Sequence, residues 1–245
     1  MVYLFNNFLT KKKYFAMSHF CWKCPLNFAN LNLVGEKIIG ISTIFSWIYY
    51  GEYIFYSMKS EILIKHLSEK VSLSAEFVES LELCIHPEIY KPHQIIQAAG
   101  NIENRLFFIE TGFARNYFYD QFGNEHTVRI WEPGDIMFSH EGYYNVASYF
   151  YVEIMSQCQF ISLSYEKLNG LEKEFTEAKL LIRYFLLQFQ KKDFEKQQLV
   201  SLPAEERYIY FRKNNNHLFS KINSNIIASY LQLSAKTLSR YMSKR

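Results

Sequence analysis

The feature that most constrains the fold is a series of short β-strand patterns with no helical segment between them. Period-two hydrophobic patterning marks strands over residues 106–109, 114–119, 126–130, 136–139, 148–156 and 159–163. Turn residues separate the first four: Thr111-Gly112, the run DQFGN from Asp120, and the run EPGD from Glu132. Evenly spaced short antiparallel strands of this kind predict a closed sandwich or double-stranded roll.

Composition places the chain among globular proteins. Of its 245 residues, 49% are hydrophobic and 18% are aromatic, enough to bury the core of one large domain or two modest ones. The cysteines are too few and too scattered for a disulfide framework; they are Cys21, Cys24, Cys84 and Cys158. We therefore expect a reducing compartment and a cytoplasmic location.

Residues 1–57 differ from the rest and are predicted to be an extension of the folded protein. They contain no Asp and no Arg, and residues 38–56 carry a single charge over about the length of a transmembrane helix. Two interpretations stay open: a membrane segment, or an AT-rich upstream region translated from a misplaced start. The second is favoured because Met58 opens MKSEILIKHLSEK, a well-formed amphipathic helix with Ile62, Leu63 and Leu67 at helical spacing.

The C-terminal part of the chain is basic, whereas the part before it is acidic. Residues 191–245 contain 11 Lys and Arg against 4 Asp and Glu, a net charge of +7. Residues 58–190 contain 11 Lys and Arg against 18 Asp and Glu, a net charge of −7. This asymmetry indicates that the C-terminal part contacts a polyanion.

Two short amphipathic helices at the C-terminus predict a helix-turn-helix. Asn223 or Ser224 can cap a helix that ends near Leu231, and Ser234 can cap a second helix that ends near Ser243. The apolar residues that would let the two helices cross are Ile227, Ala228, Leu231, Leu233, Leu238 and Tyr241.

The second of these helices carries the predicted DNA contacts. They are Ser234, Lys236, Thr237, Ser239, Arg240 and Lys244. Lys and Arg can pair with guanine acceptors in the major groove, while hydroxyls fix the register on the phosphates. The turn has Gln232 where such motifs usually have glycine. A helical hairpin with a solvated basic face is the alternative, and the charge asymmetry favours DNA binding over it.

A long helix is predicted between the strands and this motif, over residues 166–198. Its apolar side chains recur at spacings of three and four residues: Leu171, Phe175, Ala178, Ile182, Phe185 and Phe189, widened by Leu181, Leu186 and Leu187. A helix that is apolar on two faces can lie on its own roll and on a second copy. An ordinary buried helix in a monomer has the same periodicity, but a homodimer is favoured because DNA-reading modules usually act in symmetric pairs.

The order of these parts resembles the Crp/Fnr family of bacterial transcription regulators. The resemblance covers about residues 58–245, and its most telling segments are FFIETGFARNYFYDQFGNEHTVRIWEPGD, LSLPAEERY and IASYLQLSAKTLSR, which look like divergent, Bacteroidetes-type members. It implies an α+β fold with three parts: a cyclic-nucleotide-binding-like jelly roll at 58–165, a dimerisation helix at 166–198 and a helix-turn-helix domain at 199–245. It also implies a dimeric regulator that binds an inverted repeat in double-stranded DNA and contacts RNA polymerase.

By matching position, Lys236 and Arg240 fall where the family's base-reading side chains lie, and Ala235 occupies a third such position. The family's ligand site carries over less well. Nucleotide-binding members have a Gly-Glu pair for the ribose, then an Arg and a small hydroxyl residue for the cyclic phosphate. Here Gly134-Asp135 and Ser148-Tyr149 stand at those places.

Without a guanidinium, a cyclic phosphate loses a bidentate, charge-assisted interaction, so we expect no binding of cyclic AMP. The cysteines do not supply the clustered ligands of an iron–sulfur sensor, so no cofactor is expected either. The sequence leaves open whether the roll responds to some other small-molecule effector.

A cupin-like, metal-dependent enzyme is the second functional hypothesis, since cupins use the same kind of roll. The candidate ligands are His93, His126, His140 and Glu141, but they lack the His-x-His spacing of a cupin strand. The chain has no nucleophile elbow, phosphate loop or paired-carboxylate motif. We therefore expect neither a bound metal nor an enzyme, and stoichiometric transition metal in the purified protein would contradict this.

Overall fold

The computed structural model describes residues 61–244. The predicted extension, including the candidate membrane segment at 38–56, lies outside these residues. In the part of the chain that is described, no helix combines the length and the apolar character needed to cross a membrane.

The described residues begin with two helices. Helix α1 covers residues 61–68. Of its three apolar residues at helical spacing, Leu63 and Leu67 are buried as predicted, whereas Ile62 is exposed. Helix α2 (Ala75–Glu82) is capped by Ser74, whose hydroxyl accepts a hydrogen bond from the backbone N of Phe77 at 3.3 Å.

Eight strands then form the predicted roll. They are β1 (His86–Tyr90), β2 (Ile95–Gln97), β3 (Arg105–Thr111), β4 (Ala114–Tyr119), β5 (Glu125–Trp131), β6 (Ile136–Met137), β7 (Tyr151–Ile154) and β8 (Cys158–Ser164), with a short helix α3 (His140–Tyr143) between β6 and β7. Two antiparallel sheets result, in the orders β1-β8-β3-β6 and β2-β7-β4-β5. The α+β class and the double-stranded roll are thus confirmed. Strands β1 and β2 precede the first strand that the sequence predicted.

Strand β3 shows why part of the strand pattern is continuously apolar. Phe107 and Ile109 point into the core between the two sheets, while Leu106 and Phe108 point to a second core under the helices. A strand buried on both faces has no polar alternation, which explains the uninterrupted run LFFI.

The helix predicted over residues 166–198 is divided in two, α4 (Tyr165–Glu174) and α5 (Thr176–Ser201). Phe175 between them has an extended backbone, with φ −125° and ψ 129°. Its ring packs edge-on against Phe77 of α2, with 5.5 Å between the ring centroids. We attribute the break to this packing, because both helices can then lay apolar side chains on the same core.

The apolar side chains that α5 exposes differ from those that the sequence predicts. Most of the predicted stripe is buried against the protein's own roll: Leu171, Ala178, Leu181, Ile182 and Phe185. The exposed apolar side chains are Leu180, Leu187 and Phe194, with 47%, 54% and 57% of their surface accessible. Only Leu187 belonged to the predicted set.

The remaining elements form a separate small core after α5. They are α6 (Ala204–Asn214), a 3₁₀ helix (Asn216–Ser220), α7 (Ser224–Tyr230) and α8 (Ala235–Ser243). We call these residues, 204–243, the C-terminal module. Its fully buried side chains include Ile227, Leu231 and Leu238.

Candidate nucleic-acid interface

Helices α7 and α8, joined by a short turn, lie where the sequence predicts the two helices of a helix-turn-helix. Asn223 caps α7 by accepting from the backbone N of Asn225 at 2.8 Å, and Ser234 caps α8 by accepting from the backbone N of Thr237 at 3.1 Å. The apolar set predicted to hold the two helices together is buried, apart from the half-buried Leu233. Ala228, with 2% of its surface exposed, provides the close approach that a larger side chain would prevent.

The turn between these helices has a left-handed residue at the position where the sequence departs from the usual glycine. Gln232 has a φ of 50°, and its backbone N donates to the carbonyl of Ser229 at 3.0 Å. The backbone N of Leu233 then donates to the carbonyl of Ala228 at 2.9 Å. The turn therefore closes α7 in the way a C-terminal glycine would, with a side chain that is strained in this conformation.

This strain predicts a stabilising substitution. We expect Gln232→Gly to raise the free energy of unfolding by about 0.5–1 kcal/mol, because glycine adopts a positive φ without a Cβ clash. Urea unfolding measures the change. Gln232→Ala is the matched control, since alanine keeps the Cβ and should give little or no gain. A glycine variant no more stable than the alanine variant would contradict the prediction.

The exposed face of α8 contains most of the predicted contacts. Lys236, Ser239 and Arg240 are exposed, and the first and last of these lie one helical turn apart. Ser234 and Thr237 also share a hydrogen bond between their hydroxyls at 2.8 Å, so both take part in the cap of α8. The exposed face of α8 is therefore basic.

Lys244 follows α8 and is also exposed, but it has a partner within the chain. Its Nζ lies 3.0 Å from Oε1 of Glu205, in the first turn of α6. Both side chains are more than half exposed, so the pair contributes little to stability.

Two basic side chains meet the end of α7, and the sequence did not single them out. Lys196 of α5 donates a hydrogen bond to the carbonyl of Tyr230, and its Nζ lies 3.4 Å from the centroid of the Tyr230 ring. Arg207 of α6 donates to the carbonyl of Leu231 at 2.7 Å. Burial, reinforced by the charge of Arg207, lowers the pKa of Lys196 to about 7. Burial raises the pKa of Tyr230 to about 12.

The lowered pKa of Lys196 predicts how stability depends on pH. In the unfolded chain a lysine titrates near pH 10.4, so from pH 7 to about pH 10 the unfolded state holds a proton that the folded state has released. The cost of the buried charge is complete below pH 7 and fades above it. Between pH 7 and pH 9 this residue should add about 2 kcal/mol to the free energy of unfolding. The Lys196→Met protein should lack this rise. If the free energy of unfolding changes with pH in the same way in both proteins, the prediction is wrong.

The C-terminal module packs on the edge strand β5 of the roll. The hydroxyl of Ser229 accepts from the backbone N of Thr127 at 2.8 Å and donates to the carbonyl of Glu125 at 3.2 Å. Apolar side chains of the roll also contact the module's core: Phe113, Ile130 and Met155. The module is thus held against the roll by hydrogen bonds of the Ser229 hydroxyl with the backbone of β5 as well as by apolar packing.

The roll contains a small cavity that is lined mainly by strand side chains and by Phe189 of α5. Its volume is ≈ 30 Å³, room for about one water molecule. The guanidinium of Arg129 lies 3.6 Å from the centroid of the Phe189 ring, and Arg129 Nε is 3.2 Å from Asp193 Oδ1. Both aromatic and ionic contacts therefore join the roll to α5 at this point.

Asp135 and Ser148, two of the residues at positions matched to the family's nucleotide site, have hydrogen-bond partners within the chain. Asp135 accepts from the backbone N of Glu132 at 3.1 Å and from Lys192 Nζ at 2.7 Å. Ser148 is buried beside the cavity, and its hydroxyl donates to the carbonyl of Phe150 at 3.1 Å. Tyr149 is 69% exposed.

The structure does not bring the candidate metal ligands together. His93 Nδ1 lies 3.3 Å from Glu153 Oε1, and His126 Nε2 lies 2.9 Å from Asp120 Oδ2. His140 stacks on the Phe189 ring with 5.7 Å between the centroids, while Glu141 lines the cavity. Within residues 61–244, no group of three or more His, Cys, Asp and Glu side chains is arranged to hold a metal ion.

Neither a protein-family profile nor a curated protein matches the sequence, but several solved structures are similar. FixK2 from Bradyrhizobium japonicum has a TM-score of 0.60 at 15% identity, covering 65% of this chain and 83% of that chain. The c-di-GMP-responsive global regulator CLP from Xanthomonas campestris has a TM-score of 0.54 at 17% identity, covering 70% of this chain and 91% of that chain.

A third similar structure is described as a transcriptional regulator of the Crp/Fnr family, from Eubacterium rectale. Its TM-score is 0.57 at 14% identity, covering 69% of this chain and 82% of that chain. At such identities the likeness shows the fold. The fold is that of Crp/Fnr regulators, as the sequence resemblance predicts.

Proposed function

We propose that this chain is a dimeric transcription regulator that binds specific DNA sequences through α8. The observation that carries the proposal is the exposed basic face of α8, where Lys236 and Arg240 lie one turn apart on a capped, well-packed helix. The likeness of the fold to known regulators supports it. A cytoplasmic location and a contact with RNA polymerase belong to the same proposal.

The dimer would form through the exposed side of α5. Leu180, Leu187 and Phe194 are spaced seven residues apart, which places them on one line along the helix. Their large exposed surfaces would be costly in a monomer and could pack against the same line of a second copy.

Selection of bound sequences from random duplex DNA tests the proposal. A symmetric dimer should select an inverted repeat with half-sites about one helical turn apart. Selection of no sequence, or of a motif without two-fold symmetry, would overturn the proposed function. The unselected DNA pool serves as the control for non-specific binding.

We also propose that the roll does not bind cyclic AMP. Titration with cyclic AMP or cyclic GMP should give neither heat nor a thermal shift, because Ser148 and Tyr149 offer no guanidinium to the phosphate. The contacts of Asp135 with Glu132 and Lys192 support this expectation. Binding at micromolar concentrations of either nucleotide would contradict it.

A further inference from the structure

We infer that Lys196 and Arg207 are positioning residues that fix the place of α8, the proposed recognition helix, relative to α5, the proposed dimerisation helix. The inference rests on the proposed function, and it concerns the spacing of the two half-sites that the dimer accepts. The contacts of both side chains converge on one place, the carbonyls of Tyr230 and Leu231 at the end of α7.

Arg207 joins three segments at this place. Its guanidinium donates to the carbonyls of Val200 and Leu202, at the end of α5, at 2.8 and 2.9 Å. The same group donates to the carbonyl of Leu231 at 2.7 Å. A single planar guanidinium group therefore ties the end of α5 to the end of α7.

Lys196 makes a second connection one to two turns earlier on α5. Its amine reaches the carbonyl of Tyr230 and lies over the ring of the same residue. The carbonyls at the C-terminal end of a helix carry partial negative charge and lack partners within the helix, so they favour basic groups. The end of α7 is therefore attached to α5 both directly, through Lys196, and through Arg207.

This attachment lies immediately before the turn that leads to α8. Gln232 follows Leu231, and Ser234 caps the recognition helix two residues later. Because helices α7 and α8 share a packed core, a fixed end of α7 also fixes α8. The distance and rotation between the two recognition helices of a dimer would then be set by α5, the helix that forms the dimer.

The spacing between half-sites provides the test. One added base pair moves a half-site by roughly 3.4 Å and about one tenth of a turn, so a rigid dimer should reject it. We would measure the affinity of each protein for its selected inverted repeat and for versions with one base pair inserted or removed. In Lys196→Met the reduction in affinity caused by a changed spacing should be about tenfold smaller than in the unaltered protein.

Two further variants make the result specific. Arg207→Lys keeps the charge, but its single amine cannot span three carbonyls, so it should relax the spacing preference in the same way. Lys173→Met is the matched control, because Lys173 is exposed and lies on α4, outside the proposed dimer line on α5. It should keep the profile of the unaltered protein.

Thermal unfolding shows whether each variant is folded, and methionine is a suitable replacement because apolar side chains often replace buried charges without loss of stability. Should one of the two variants fail to fold, the other gives the test. Folded variants with an unchanged spacing profile would overturn the inference while the proposed function stands. If the unaltered protein selects no DNA sequence, the proposed function itself has failed.

Discussion

Arg240→Ala is expected to weaken binding to the selected DNA by about 1–3 kcal/mol for each half-site and to relax the sequence preference at one position in each. The side chain is exposed on α8, and its guanidinium carbon lies 5.4 Å from the centroid of the Tyr241 ring. Truncation should therefore remove a base contact without disturbing the core. Binding curves on the selected and on scrambled duplexes measure both effects.

Lys244→Ala is the matched control for this change. It also removes one exposed positive charge, but from the residue that follows α8, where its partner is Glu205. We expect a similar weakening on every sequence and a salt dependence that is less steep by about one unit for each phosphate that the lysine no longer neutralises. If Arg240→Ala leaves affinity and specificity unchanged in a folded dimer, α8 is not the recognition helix.

Leu187→Glu is expected to dissociate the dimer at micromolar concentrations. Near the two-fold axis each copy would place a carboxylate against the other, and an unpaired buried charge costs several kcal/mol. Because Leu187 is 54% exposed in the single chain, the monomer should remain folded. Sedimentation measures the mass. Affinity for the inverted repeat should fall at least about a hundredfold, since each half-site then binds alone.

Leu83→Glu is a suitable control for the dimer prediction. Leu83 is 80% exposed and follows α2, so the substitution adds the same charge away from the line on α5. This variant should remain dimeric and bind DNA normally. A Leu187→Glu protein that keeps the mass of a dimer would contradict the prediction, because the dimer interface would then lie elsewhere or have Leu187 only at its rim.

The C-terminal helices could be predicted closely because their ends are determined by local chemistry. Ser234 caps α8 through a residue only three positions away, and such contacts are visible in a short stretch of sequence. The first four predicted strands of the roll could be predicted for the same reason, since turn residues mark the breaks between them. Strands β1 and β2 have weaker patterns, because several of their side chains are exposed or half-buried.

Features that depend on distant contacts could not be predicted in this way. The break at Phe175 depends on a ring contact with Phe77, almost a hundred residues earlier. The periodicity of α5 shows that the helix is apolar on several sides, but not which side meets the roll. Lys196 stands in the polar run KKDFEKQQ, where it looks like an ordinary surface lysine, and only the fold places it against Tyr230.

The contact between Ser229 and strand β5 has a consequence for the solubility of the whole chain. An uncovered edge strand presents unpaired backbone groups and can pair with another molecule, which leads to aggregation. Strand β5 is such an edge, and α7 covers part of it by bonding the backbone of Thr127 and Glu125. The C-terminal module therefore also shields this edge of the roll from unwanted self-association. This shielding limits how freely the module can separate from the roll.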